Sequence, residues 1–300
     1  MKTINVCFKD EQDKIKFVEE CEKSFEKRLD EATSKIISSG SLNVLLSGPT
    51  CAGKTTTANK IIEDYHSIDK EVTIISIDDF FHERIEEREV VDGKKIDYDS
   101  IDVLDLELLS DCIKKAKTGN TIKVPIFDFV TQSRVGYNAH YIDDDEVLLF
   151  EGIQAVYPEV VSLFDSNYIG VFINVNEDVC VNGVYFSRDE IRLIRRLVRD
   201  RKFRGASADF TFFLWETVRE NEDKNIYPNK NICSVQIESF MEYELFLIKP
   251  YILEVLSEVN ENSKYYEMSS SLAKKFETLD EISYEYIPEN SLYTEFLGKK

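Results

Sequence analysis

The chain has 300 residues, 43% hydrophobic and 31% charged, which is enough apolar sequence to bury a sizeable core and argues against global disorder. A formal net charge of −20 argues against a dedicated DNA or RNA binder, because such proteins need a positive surface to displace counterions from phosphates. Six scattered cysteines without a Cys-x-x-Cys pair fit reduced thiols rather than zinc or a disulfide scaffold, and no run approaches the ~18 apolar residues of a membrane span, so a cytoplasmic protein without a membrane partner is expected.

In chain order, Ile15, Val18, Phe25, Leu29, Ala32 and Ile36 recur at helical spacing and predict an amphipathic helix over 13–37, with Gly40 as its stop. The segment LNVLLSG reads as a buried strand, GPTCAGKTT as a Gly-rich turn and TTTANKIIEDY as a helix. EVTIIS predicts a second strand, running out at Ile77, Asp78 and Asp79, and VLDLELLSDCIKKAK a helix before a short strand around Ile122 to Val124. Strands at EVLLFEG and YIGVFINV follow, then an Arg-rich helix near 190–204 and helices near 211–221 and 240–257. This alternation predicts an α/β protein with a doubly wound, mostly parallel sheet and helices on both faces. We expect the N-terminal helix in 1–41, the main domain in 42–258 and, in the polar, Tyr-rich 259–300, an appendage packed on the core.

Gly48, Pro49, Thr50, Cys51, Ala52, Gly53, Lys54 and Thr55 spell G-x-x-x-x-G-K-[ST] between a predicted strand and a predicted helix. In such a loop backbone N–H groups point at phosphate oxygens, the helix N-terminus adds its positive dipole end, and glycine lets the backbone come close. The motif therefore predicts a nucleotide site over 48–56, with Lys54 on the β/γ-phosphates, Thr55 on Mg²⁺ and Thr56 completing the cradle. In open α/β sheets ligands bind beyond the carboxyl ends of the strands, which singles out Asp78, Asp79 and Glu151. One carboxylate can take a hydroxyl proton while another holds Mg²⁺ or its water.

The stretch 188–204 holds seven Arg and one Lys against three acids within an otherwise acidic chain, which points to a small anionic ligand. Arg192, Arg195, Arg196 and Arg199 share one helical face, and Leu193, Ile194, Leu197 and Val198 the other. A lid bearing these arginines, with Arg201 and Arg204 near its end, could neutralise a triphosphate and exclude water. A solvated basic face is the plainer alternative.

Together these motifs resemble the uridine kinase and phosphoribulokinase family of P-loop kinases over residues 42–257. Ser76-Ile-Asp78-Asp79-Phe80-Phe81 is similar to the segment that carries the family's catalytic Asp, and 124–134, VPIFDFVTQSR, to its P-x-Y-D-F-x-x-H-S-R signature. RLIRRLVRD with Arg204-Gly205 resembles the lid, and FEG at 150–152 the acidic strand end. The resemblance implies a P-loop NTPase-type fold with an arginine-rich lid helix, ATP as donor, Mg²⁺ as cofactor and transfer to the 5′-hydroxyl of a uridine- or cytidine-like nucleoside. It further implies Asp78 as base, Thr55, Asp78 and Glu151 around Mg²⁺, and Asp99 and Arg196 at the ribose. Arg199 and Arg204 would lie on phosphates, and Phe127, Phe129, Gln132 and Arg134 in the acceptor pocket.

Phe127 and Gln132 replace the signature's Tyr and His, so the pocket loses one polar group. Ala206 stands where a further Arg is frequent. FRGASADFTFFLWETVRENEDKNIYP and IPENSLYTEFLG are similar to a bacterial uridine kinase-like branch; about 40 residues before the first strand are too few for the threonyl-tRNA synthetase-like region often fused there. The rival readings are a P-loop kinase for another small hydroxylated acceptor and a nucleotide-responsive binding module. No Asn-Lys-x-Asp guanine motif appears, His66, His82 and His140 lack metal-ligand spacing, and the aromatics at 210–215 read as core or interface; homo-oligomerisation stays open.

Overall fold

A computed structural model describes residues 1–83, 99–119, 121–129 and 131–299. In order these form β1 (Lys2–Ile4), α1 (Glu11–Ser38), β2 (Asn43–Ser47), α2 (Lys54–His66), β3 (Val72–Ser76), α3 (Leu106–Ala116), β4 (Thr121–Asp128), β5 (Ser133–Tyr141) and β6 (Val147–Glu151). There follow α4 (Pro158–Val161), β7 (Ile169–Asn174), β8 (Val179–Val181), β9 (Val184–Phe186), α5 (Arg188–Arg204), α6 (Ala208–Asn221), β10 (Val235–Glu238), α7 (Glu244–Ser257), α8 (Tyr266–Phe276) and α9 (Thr294–Leu297).

Five strands make one fully parallel sheet in the order β10-β7-β2-β6-β3. Side chains alternate between faces with period two, and the core divides accordingly. Val44, Leu46, Val147, Leu149, Val171 and Ile173 join one cluster, whereas Leu45, Leu148, Phe150 and Phe172 join the other. The first cluster is covered by α1, α2, α5 and α7, the second by α3 and α4, which gives the doubly wound α/β architecture. Register aligns the carboxyl ends at the centre: Leu46 and Ser76 both stand opposite Glu151. Whatever follows β2, β3 and β6 therefore emerges at one edge.

Helix α1 begins where Asp10 accepts the Asp13 N–H at 3.0 Å, a side-chain cap for an otherwise unpaired donor. Its buried stripe runs through Val18, Cys21, Phe25, Leu29, Ala32 and Ile36, and Gly40 follows in the left-handed region at φ 66°. The predicted single short strand at 122–124 is instead the start of an antiparallel hairpin, β4–β5, outside the main sheet, with a bulge between Ile126 and Phe127. A third small sheet pairs β1 with β8 and β8 with β9. Residues of 259–300, among them Phe276, Ile282, Leu292, Tyr293 and Phe296, are buried in the same cluster as β2 and β7. No helix among the described residues is long and apolar enough to cross a membrane.

Candidate active site

The loop after β2 turns sharply against β7. A Cβ at Gly48 would lie 2.2 Å from the Ile173 carbonyl oxygen, so only glycine fits there. Gly53 is the left-handed residue that launches α2, at φ 98°. Lys54 Nζ donates to the Gly48 carbonyl at 3.2 Å, folding the side chain back over the loop. From the neighbouring strand, Glu151 brings a carboxylate to 3.9 Å from the same Nζ.

Asp78 sits two residues past β3, in a single 3-10 turn (Ile77–Phe80). Its carboxyl is pushed up to about 6, first by burial and then by the charge of Glu151; Lys54 pulls it partly back, and Asp99 adds repulsion. Asp79 has a different task. It accepts the Phe127 N–H at 3.1 Å and so ties the hairpin to the strand end.

A second tie comes from Arg134, whose guanidinium donates to the Phe81 carbonyl and to Asp105 Oδ2, each at 2.9 Å. Phe81, Phe127 and Phe129 meet edge to face, with ring centroids 5.2 to 6.0 Å apart. Phe127 is buried and Phe129 is 55% exposed, so the trio ends in an open aromatic face. Gln132 occupies the hairpin turn in the left-handed region, at φ 52°. The Asp99 carbonyl accepts the Tyr157 hydroxyl at 2.9 Å.

Helix α5 is buried on more than one side, which changes the reading of its arginines. Arg192 and Arg195 are fully buried and not available to a ligand: each is committed to a carboxylate that the sequence did not single out. Arg192 forms a two-pronged pair with Glu222, at 2.5 and 2.6 Å. Arg195 pairs with Glu244 at 2.6 and 2.7 Å, and its remaining donors reach Ser239 Oγ at 3.0 Å and the Cys51 carbonyl at 3.1 Å. The loop after β2 is thus held from behind by a buried guanidinium. At the far end of α5, Arg196, Arg199 and Arg204 share the single carboxylate of Asp200, at 3.2, 2.7 and 3.4 Å. Three guanidiniums on one acid leave a local excess of positive charge, which attracts an anion.

A family model of the phosphoribulokinase/uridine kinase family matches residues 44–245. The chain belongs to that family. Among its relatives are a uridine kinase of Ureaplasma urealyticum, 29% identical over 195 residues (65% of this chain, 86% of the relative), and uridine-cytidine kinase B of Dictyostelium discoideum, 29% identical over 194 residues (64% and 72%). A solved structure of a possible uridine kinase from Bacillus stearothermophilus is similar over 71% of this chain and 99% of its own, at TM-score 0.49 and 17% identity. Membership places the chain among kinases with an alcohol acceptor.

The family's implied Mg²⁺ can be tested against the residues present. Thr55, Asp78 and Glu151 offer hard oxygen donors, and the repulsion that lifts the Asp78 carboxyl is what a divalent cation would relieve. The donor set fits the ion. Sequence reasoning missed one further acid at this edge. Glu295 of α9 accepts the Thr56 hydroxyl at 3.3 Å; burial raises its carboxyl, and Lys54 and Arg199 oppose that rise. Nothing in the local pattern of residues 288–297 pointed to the loop.

Proposed function

We propose that this family member is an ATP-dependent kinase that transfers the γ-phosphoryl to the 5′-hydroxyl of a nucleoside. The observation that carries the reading is the meeting of Lys54, Glu151 and the lifted Asp78 carboxyl at the carboxyl ends of three adjacent parallel strands. Phosphoryl transfer asks mainly for positioning and charge neutralisation. Backbone N–H groups of 48–55 would cradle the phosphates, and Lys54 would release Gly48 to bind the β- and γ-oxygens. Thr55, Asp78 and Glu151 would hold Mg²⁺, which when bound neutralises phosphate charge.

The acceptor oxygen attacks the γ-phosphorus as the bond to the bridging oxygen breaks and the nucleoside diphosphate leaves. Asp78 accepts the hydroxyl proton, and Arg199 and Arg204 turn from Asp200 toward the charge on the transferred group. Phe129, backed by the buried Phe127, would offer the base an aromatic face; Gln132 and Arg134 would line the hairpin end of the acceptor pocket, and Asp99 and Arg196 would serve the ribose. The open Phe129 ring favours a flat acceptor, hence a nucleoside over a sugar or sugar phosphate.

The test is incubation with Mg²⁺-ATP and a nucleoside panel, with mass-spectrometric detection of monophosphates and Lys54→Ala as control. A new 5′-monophosphate that the control does not make is the expected result. Consumption of ATP only with a non-nucleoside alcohol would move the acceptor, and no turnover with any alcohol would overturn the reading.

The pH profile is a separate check. Because the base must be ionised and its carboxyl is pushed up to about 6 in the metal-free site, kcat/KM for Mg²⁺-ATP, which reports the free enzyme, should be level above that pH and fall tenfold per unit below it. A profile unchanged between pH 5 and 8 would exclude Asp78 as the base.

A further inference from the structure

The tail that follows α8 returns to the phosphate loop and is fixed there. Leu292 lies so close to Gly53 that a Cβ on the glycine would come within 2.3 Å of its Cδ1. Tyr293 is fully buried: its hydroxyl donates to Glu244 Oε2 at 2.8 Å and accepts the Met241 N–H at 3.2 Å. The Phe296 ring lies 5.3 Å from the Arg195 guanidinium, and Lys202 Nζ donates to the Leu297 carbonyl. Between these anchors stands Glu295, its carboxylate on the Thr56 hydroxyl and in the field of Lys54 and Arg199.

Thr56, Lys54 and Arg199 are groups that the nucleotide reading assigns to phosphate oxygens. A carboxylate among them is a tethered anion in an anion site. Its anchors are buried aromatics, so it does not drift away as a loose terminus would. An incoming triphosphate must either settle beside this charge or displace it, and at such range two like charges in a partly desolvated site repel strongly.

We propose that Glu295 is an internal competitor of the nucleotide's phosphates, which lowers the site's affinity by occupying Thr56 and drawing on Lys54 and Arg199. This inference rests on the reading of 48–56 as a nucleotide site. It assigns to the C-terminal segment a role in setting nucleotide affinity, beyond its packing on the core.

Glu295→Gln is the decisive variant, because the amide oxygen still accepts the Thr56 hydroxyl while the charge is gone. Calorimetric Kd values for Mg²⁺-ATP, for inorganic tripolyphosphate and for adenosine are compared between the parent protein and the variant, with thermal melts to match their folding. Removal of the charge should tighten ATP and tripolyphosphate by about tenfold and leave adenosine unchanged. Glu295→Lys, a second variant, should tighten both anions at least as much. Unchanged or weaker ATP binding by Glu295→Gln would overturn the proposal. If neither the parent nor either variant binds ATP or tripolyphosphate, the nucleotide reading of the loop falls, and the inference with it.

Discussion

Asp78→Asn is expected to lower kcat by about 10²- to 10⁴-fold, the usual contribution of a general base, and at the same time to make the protein more stable. The two effects share one cause. Burial and the charge of Glu151 lift the Asp78 carboxyl from its ordinary 3.8 to about 6 in the folded protein. A carboxyl that binds its proton more tightly when folded favours the native state only while it is protonated. The advantage is complete below the unfolded value near 3.8 and is lost as pH rises through about 6. Above that pH the ionised group costs on the order of 1–3 kcal/mol, a cost that asparagine does not carry. The thermal midpoint in nucleotide- and Mg²⁺-free buffer should therefore rise by a few degrees at pH 8, with a smaller gain at pH 5. Retention of activity within a few-fold would remove Asp78 from the chemistry, and an unchanged midpoint at pH 8 would show that its charge is not penalised.

The largest stability loss is expected from Glu244→Gln. It leaves Arg195, which is fully buried, without its two-pronged carboxylate, and stranding such a charge costs about 3–5 kcal/mol. For a chain of this size that corresponds to a fall of roughly 10 °C in Tm. A paired replacement, Arg195→Met with Glu244→Leu, should recover part of the loss, because two apolar side chains need no partner. It also releases the Cys51 carbonyl and Ser239, so nucleotide affinity should remain poor even where stability returns. Calorimetric melting of the two variants beside the parent, with ATP titrations on those that fold, separates the two roles. A Glu244→Gln protein that melts within two degrees of the parent would show the pair to be dispensable.

Elements whose signals are local were legible in the residues themselves. The strand, loop and helix around 43–66 combine a continuous apolar run, a glycine pattern and a helical period, and α1 shows its buried stripe at the expected spacing. The hairpin was legible only in part. Its second strand, β5, is mostly exposed and lacks the apolar alternation that marks a strand packed on one face. Strands β1, β8 and β9 have three residues each, too few for any period to register. The arginines of α5 were found, but not which of them are free: charge alone predicts exposure, and the acids that bury Arg192 and Arg195 stand 30 and 49 residues downstream. Glu295 escaped notice for the same physical reason, since a tertiary contact leaves no mark on its neighbours in sequence.

The contact between Thr56 and Glu295 spans 239 residues, and this separation bears on the order of assembly. A ribosome delivers the loop at 48–56 some 239 residues ahead of the segment that carries Glu295 and packs on Gly53. Throughout that interval the nascent site would have its glycine turn but neither Leu292 against it nor Tyr293 bracing Glu244. Closing so long a loop is entropically slow, so consolidation of the loop should be a late step in folding, after the sheet itself has formed.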